Sequence, residues 1–132
     1  MMSSLAGLIG MQLVASYAAT KAFTWNLAEA LHHELAGHAI DVMACIAGAT
    51  STAAYLATRP EYGLIKPTVL SPGFVANKAL DMLGKKTLYI PGAANRMQYF
   101  LLTRLMPRKM AAAIANKTMG DMYRRVWDEF KR

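Results

Sequence analysis

Tyr17 and Lys21 stand four residues apart in this chain. On a helix that spacing puts them on one face, a turn from each other. A free phenol has a pKa of ~10, and a neighbouring ammonium favours its ionised form. The pair therefore has the makings of a proton-transfer device. Ser4, thirteen residues before the tyrosine, adds a hydroxyl able to donate and accept. The Tyr-x-x-x-Lys spacing alone is a weak signal, because it also describes a packed tyrosine beside a solvated lysine.

These side chains need elements to hold them. Residues 1 to 15 are small and apolar with Gly7 and Gly10, and read as a strand end running into a buried loop. Residues 16 to 36 read as a helix. Ser16 is the expected N-cap, and Ala22, Leu27, Ala30, Leu31 and Leu35 recur near helical spacing, with Gly37 as the stop. Ile40 to Ile46 is a short apolar run, better suited to a buried strand than to a helix. Residues 48 to 71 are crowded with Thr, Ser, Pro and Gly and form a loop, with room for a short helix at Thr52 to Thr58. Ser71-Pro72 opens a helix that runs to about Leu83 before Gly84. Thr87 to Ile90 is a strand, closed by Pro91-Gly92. Strand, helix and strand with short links make a βαβ unit on a parallel sheet. Two such strands cannot cover themselves, so they belong to a larger sheet.

Three stretches together resemble the short-chain dehydrogenase/reductase family. Ser3-Ser4-Leu5-Ala6-Gly7 resembles its serine motif, Tyr17-Ala18-Ala19-Thr20-Lys21 its YxASK motif, and Ile46 to Thr52 its PGxxxT motif. They occur in family order and spacing. The resemblance covers residues 1 to about 92 well; the tail resembles hydroxysteroid and long-chain 3-oxoacyl reductases more loosely. It implies an α/β fold, the C-terminal part of a Rossmann-like doubly wound parallel sheet with a helical C-terminal tail. It implies hydride transfer between NAD or NADP and a carbonyl or alcohol carbon of a hydrophobic ketone, alcohol or acyl substrate. Tyr17 would be the general acid or base, Lys21 would favour its phenolate and bind the nicotinamide ribose, and Ser4 would hydrogen-bond the substrate oxygen. Ala47, Gly48, Thr50 and Thr52 would border the cofactor, with Thr52 and the backbone near Thr50 holding the carboxamide. Members of the family often pair through the helix bearing the tyrosine, which predicts a homo-oligomer through residues 16 to 36; Trp25 is expected to be a packing residue, with that interface as its alternative place.

Two departures stand out. Ala47 replaces the usual proline, which loosens the turn into the cofactor loop. No two of the nine glycines are two apart, so the chain holds no Gly-x-Gly. The family's phosphate loop, its NAG turn and the asparagine of its catalytic tetrad have no counterpart. A dinucleotide needs that first βα turn and its helix N-terminus. The chain therefore reads as a fragment of an oxidoreductase, inactive by itself; the alternative reading is a truncated paralogue serving as an interaction module.

Composition narrows the rest. With 55% hydrophobic residues the chain is a folded one. The net charge of +7 is concentrated late: residues 96 to 132 carry nine Lys/Arg against three Asp/Glu. This segment is expected to form a basic amphipathic tail distinct from residues 1 to 95, helical over Met97 to Met106 and again from Arg108 to Phe130, with Pro107 between. Its stripe of Met110, Ile114, Met119, Met122, Val126, Trp127 and Phe130 must bury against a surface, either the protein itself or an anionic membrane. Leu5 to Ala15 lacks a basic flank and is too short to span a bilayer, which predicts a cytoplasmic or peripheral protein. Cys45 is the single cysteine and fits an inert core position. His33-Glu34 and His38 have the wrong spacing for a zincin helix, so no metal is expected. Arg96, Tyr99, Phe100 and Arg104 interleave charge with aromatics but lack any nucleic-acid motif.

Overall fold

The computed structural model describes residues 1–63, 66–124, 128, 129 and 131. Three short strands, β1 (Met2–Ser4), β2 (Ala44–Ala47) and β3 (Leu88–Tyr89), form one parallel sheet in the order β1-β2-β3. Ser4 pairs with Ala47 at one end of the ladder, and Cys45 pairs with both Met2 and Tyr89. The chain is thus α/β, with the parallel strands 44–47 and 88–89 linked through helix as their spacing predicts.

Helix α1 (Ala15–Glu34) joins β1 to β2. The short α2 (Ala53–Ala57) and then α3 (Pro72–Met82) join β2 to β3. Beyond β3 come α4 (Ala93–Phe100), a π-helical turn at Leu101–Leu105, and α5 (Arg108–Met122). Ser71 caps α3 by accepting from the Phe74 N–H at 3.2 Å, with Pro72 at the first helical position. Gly84 ends that helix region with φ of +75°, a conformation that costs glycine little.

Alternation along β2 builds two cores. Ile46 faces one side, with Leu5, Leu8, Ile9, Ile90, Ala111 and Ala115. Met43, Cys45 and Ala47 face the other, against Val75 and Ala79 of α3. Successive strand residues point to opposite faces, so a strand buried on both sides reads as the continuous apolar run seen in the sequence.

Several local expectations are corrected. The Val14 carbonyl accepts from Ala18 at 2.8 Å, so α1 begins before Ser16, and Val14 is its cap without side-chain help. The helix ends at Glu34 with Leu35 as C-cap, and the left-handed residue of the following turn is Ala39 rather than Gly37. Its buried face carries Ala18 and Ala28, whereas Ala30 is exposed. Trp25, by contrast, packs against the core as expected, with its indole N–H buried. Residues 40–42 do not join the sheet: the Val42 carbonyl meets His32 Nδ1 at 2.9 Å, and Ile40 is exposed.

The late segment packs on the body through α5, and its apolar stripe meets the core only in part. Ala111, Ala115 and Met122 are buried, while Met110 is 55% exposed. Asn116 ties this helix to the 10–12 loop. Its Oδ1 accepts from the Gln12 N–H at 2.7 Å, its Nδ2 donates to the Gly10 carbonyl at 3.1 Å, and its carbonyl accepts from Gln12 Nε2 at 2.8 Å. With Asn116 turned to the 10–12 loop, the small alanines face the core and Met110 turns out. Val126, Trp127 and Phe130 lie outside the described residues.

Candidate active site

The site is built around Lys21. Ser3, only 4% exposed, donates its hydroxyl to the Lys21 carbonyl at 2.7 Å. Lys21 Nζ donates to the Met2 carbonyl at 3.1 Å and stands 5.6 Å from the centre of the Tyr17 ring. Gly7 closes the third side. A Cβ there would lie 2.7 Å from the Ala22 nitrogen and 2.8 Å from the Lys21 carbonyl carbon. Only glycine lets the 3₁₀ turn Leu5–Leu8 approach α1 this closely. Backbone, ammonium and helix surface of one residue are each fixed by a different neighbour.

Ser4 closes β1, so it sits at the carboxyl end of a parallel strand, where ligands of open α/β sheets bind. Its oxygen accepts from the Ala6 N–H at 3.2 Å, capping the 3₁₀ turn. A hydroxyl so engaged keeps its own proton to donate. Tyr17 lies in the first turn of α1, 47% exposed, with its ring open to a ligand.

The loop after β2 forms the other half. Ala47 is buried as the last residue of β2. Thr50 donates its hydroxyl to the Gly48 carbonyl at 3.0 Å and bridges to Leu70 through the backbone. Thr52 caps α2, its oxygen accepting from the Tyr55 N–H at 3.2 Å. The residue behind this loop escaped the sequence reading. Asn95, 3% exposed, donates Nδ2 to the Pro91 carbonyl at 2.9 Å and presses on Gly48. A Cβ on Gly48 would come within 2.6 Å of the Asn95 carboxamide. A buried polar residue four places after Pro91 was the available signal, hidden inside a helix whose start the sequence placed at Met97.

Parallel strands, Ser4 at a strand end, and Tyr17 with Lys21 on the next helix form an arrangement that can be compared with known proteins. A family model described as short chain dehydrogenase matches residues 1–63. Over residues 1–63 the chain thus matches the short-chain dehydrogenase/reductase family. A 7beta-hydroxysteroid dehydrogenase from Clostridium sardiniense is 33% identical over 93 residues, covering 70% of this chain and 36% of that protein. The chain therefore spans about a third of this curated relative's length. A solved structure from work on 7beta-hydroxysteroid dehydrogenase stereoselectivity shares the fold, with a TM-score of 0.73 at 24% identity over 86% of this chain and 44% of that one.

Two further features fall outside this arrangement. A shallow cleft of about 200 Å³ is lined by Leu8, Ile9, Leu102, Thr103, Met106 and Arg108, with none of the candidate site residues. Cys45 is buried, and burial pushes its thiol pKa up, which suits an unreactive core residue.

Proposed function

We propose that these residues form the catalytic side of an NAD- or NADP-dependent oxidoreductase acting on a hydrophobic ketone or alcohol, a hydroxysteroid or a comparably apolar molecule. The observation that carries this reading is the placement of Ser4, Tyr17 and Lys21 on β1 and the helix that follows it. The nicotinamide ring fits the same end of the sheet. Ser4 closes β1, the loop 47–52 leaves β2 beside it, and both lie where such sheets take ligands. The phosphates have no such cradle, because the chain contains no Gly-x-Gly. The cofactor, when bound, carries the hydride to or from the substrate carbon.

The chain's residues handle the oxygen and its proton. Ser4 donates to the substrate oxygen. In reduction Tyr17 gives that oxygen a proton, and in oxidation it takes one back. The Lys21 ammonium stands beside the ring, 5.6 Å from its centre. Ala47, Gly48, Thr50 and Thr52 border the nicotinamide, and Lys21 and Tyr17 its ribose. Within this reading residues 1–95 supply the chemistry and 96–132 an accessory surface. The exposed outer side of α1, with Phe23 67% exposed, suits pairing with a second copy.

The test is turnover by the complete gene product that contains these residues. Tyr17→Phe removes only the transferable proton, and should lower turnover ~100-fold or more while circular dichroism stays unchanged. A variant keeping more than about a tenth of the rate would remove Tyr17 from the acid/base role.

A further inference from the structure

The outer face of α4 and the π-helical turn is apolar and has no partner among the described residues. Asn95 is buried and Tyr99, Leu102 and Met106 pack against the body. The exposed apolar residues of the same stretch are Met97, Phe100, Leu101 and Leu105, at 59, 49, 37 and 62%. Exposed apolar residues scattered singly are ordinary, but a contiguous group on one helical face marks an interaction surface.

Charge identifies the occupant. No Asp or Glu occurs between Asp81 and Asp121, a stretch that holds Arg104, Arg108 and Lys109 beside the apolar face. All three are exposed, and none of them is in an ion pair among the described residues. Arg104 stands within the apolar face and the other two begin α5 just beyond it. A second copy offering the same surface would bring cations against cations, which costs energy. An anionic bilayer offers the complement of both properties. Apolar side chains enter the headgroup boundary while Arg and Lys extend to phosphate. No helix of the described residues is long and apolar enough to cross a membrane, so contact is from the side.

We propose that the outer face of α4 and the following π-helical turn, flanked by Arg104, Arg108 and Lys109, docks on the surface of anionic phospholipid bilayers. The docking residues differ from the α5 stripe that the sequence suggested, because α5 spends its alanine face on the core. The inference is independent of the catalytic reading, since none of the site residues takes part.

The test is co-sedimentation of the full chain with phosphatidylcholine vesicles, with and without phosphatidylglycerol, at low and high salt. The chain should pellet with the anionic vesicles at low salt and be released at high salt, as screening shortens. Arg104→Gln with Arg108→Gln and Lys109→Gln should weaken this on the order of 100-fold. Phe100→Glu with Leu105→Glu should also abolish it. Both sets change exposed side chains, and circular dichroism verifies their fold. As a second measurement, an environment-sensitive dye on Leu105→Cys should shift to the blue with anionic vesicles, while the same dye on Lys78→Cys of α3 should not. Equal binding to neutral vesicles, binding unaffected by either variant, or a dye response equal at both positions would overturn the proposal. So would a chain that never pellets and instead forms dimers that Leu105→Glu dissolves, which would make the face a self-association surface.

Discussion

The two halves of the candidate site are held in different ways. Ser4, Tyr17 and Lys21 lie within eighteen residues of sequence, and Lys21 is fixed by its near neighbours Met2, Ser3 and Gly7, while Ser4 is engaged by Ala6. The loop from Ala47 to Thr52 is held from far away, by the backbone of Leu70 and by Asn95 pressing on Gly48. A short, self-contained motif can carry its own positioning residues. A loop at a strand end depends on whatever the next strand brings beside it.

Gly7→Ala should show the largest effect. The new Cβ meets backbone atoms of α1, which cannot rotate away as a side chain could. A loss of about 3 kcal/mol is expected in denaturant unfolding, with the Tyr17–Lys21 half disturbed first. A variant as stable as the parent would mean that the turn and α1 are not truly in contact.

Asn95→Ala attacks the other half. It removes the bond to the Pro91 carbonyl and leaves that buried group without its donor, at a cost of about 2 kcal/mol. Amide exchange should quicken at Gly48 to Ser51 and stay unchanged along α1. Gly48→Ala should be costly when Asn95 is intact and milder when combined with Asn95→Ala, a coupling of about 1 kcal/mol in a double-mutant cycle. Strict additivity would show that the carboxamide does not brace the loop.

Ser3→Ala sharpens the comparison at smaller scale. It deletes one hydrogen bond to the Lys21 carbonyl and should cost about 1 kcal/mol, with exchange quickening in α1 and not in the loop.

The smallest effect expected is with pH. Burial raises the thiol pKa of Cys45 above its ordinary 9.0, so the folded state holds that proton longer than the unfolded chain does. Its stabilising contribution is complete below the ordinary value and fades as pH rises toward the raised one. Cys45→Ala should flatten the alkaline fall in melting temperature, and an unchanged slope would assign that fall to other groups.

This contrast also explains what could be read from the sequence. The nearness of Tyr17 and Lys21 on one helix was legible because spacing and helix face are local properties. The alternating two-sided burial of β2 and the Ser71-Pro72 helix start were legible for the same reason. Asn95 was not, because its importance comes from Gly48, forty-seven residues earlier, which only the sheet brings close. The face of α5 was read only in part: Met122 of the stripe is buried, but Met110 is exposed and the alanines Ala111 and Ala115, which the stripe left out, face the core, with Asn116 bonded to the 10–12 loop.

The clasp between Gln12 and Asn116 also bears on the order of folding. It joins residues 104 apart in sequence. Closing so long a loop costs little more free energy than closing one half its length, since the penalty grows by only about 0.6 kcal/mol per doubling. Long-range closure nevertheless delays assembly. During synthesis Leu5, Leu8 and Ile9 emerge early, yet the alanines that cover them arrive about a hundred residues later. At ~5–20 residues per second that leaves an interval of several seconds with these side chains open to wrong partners.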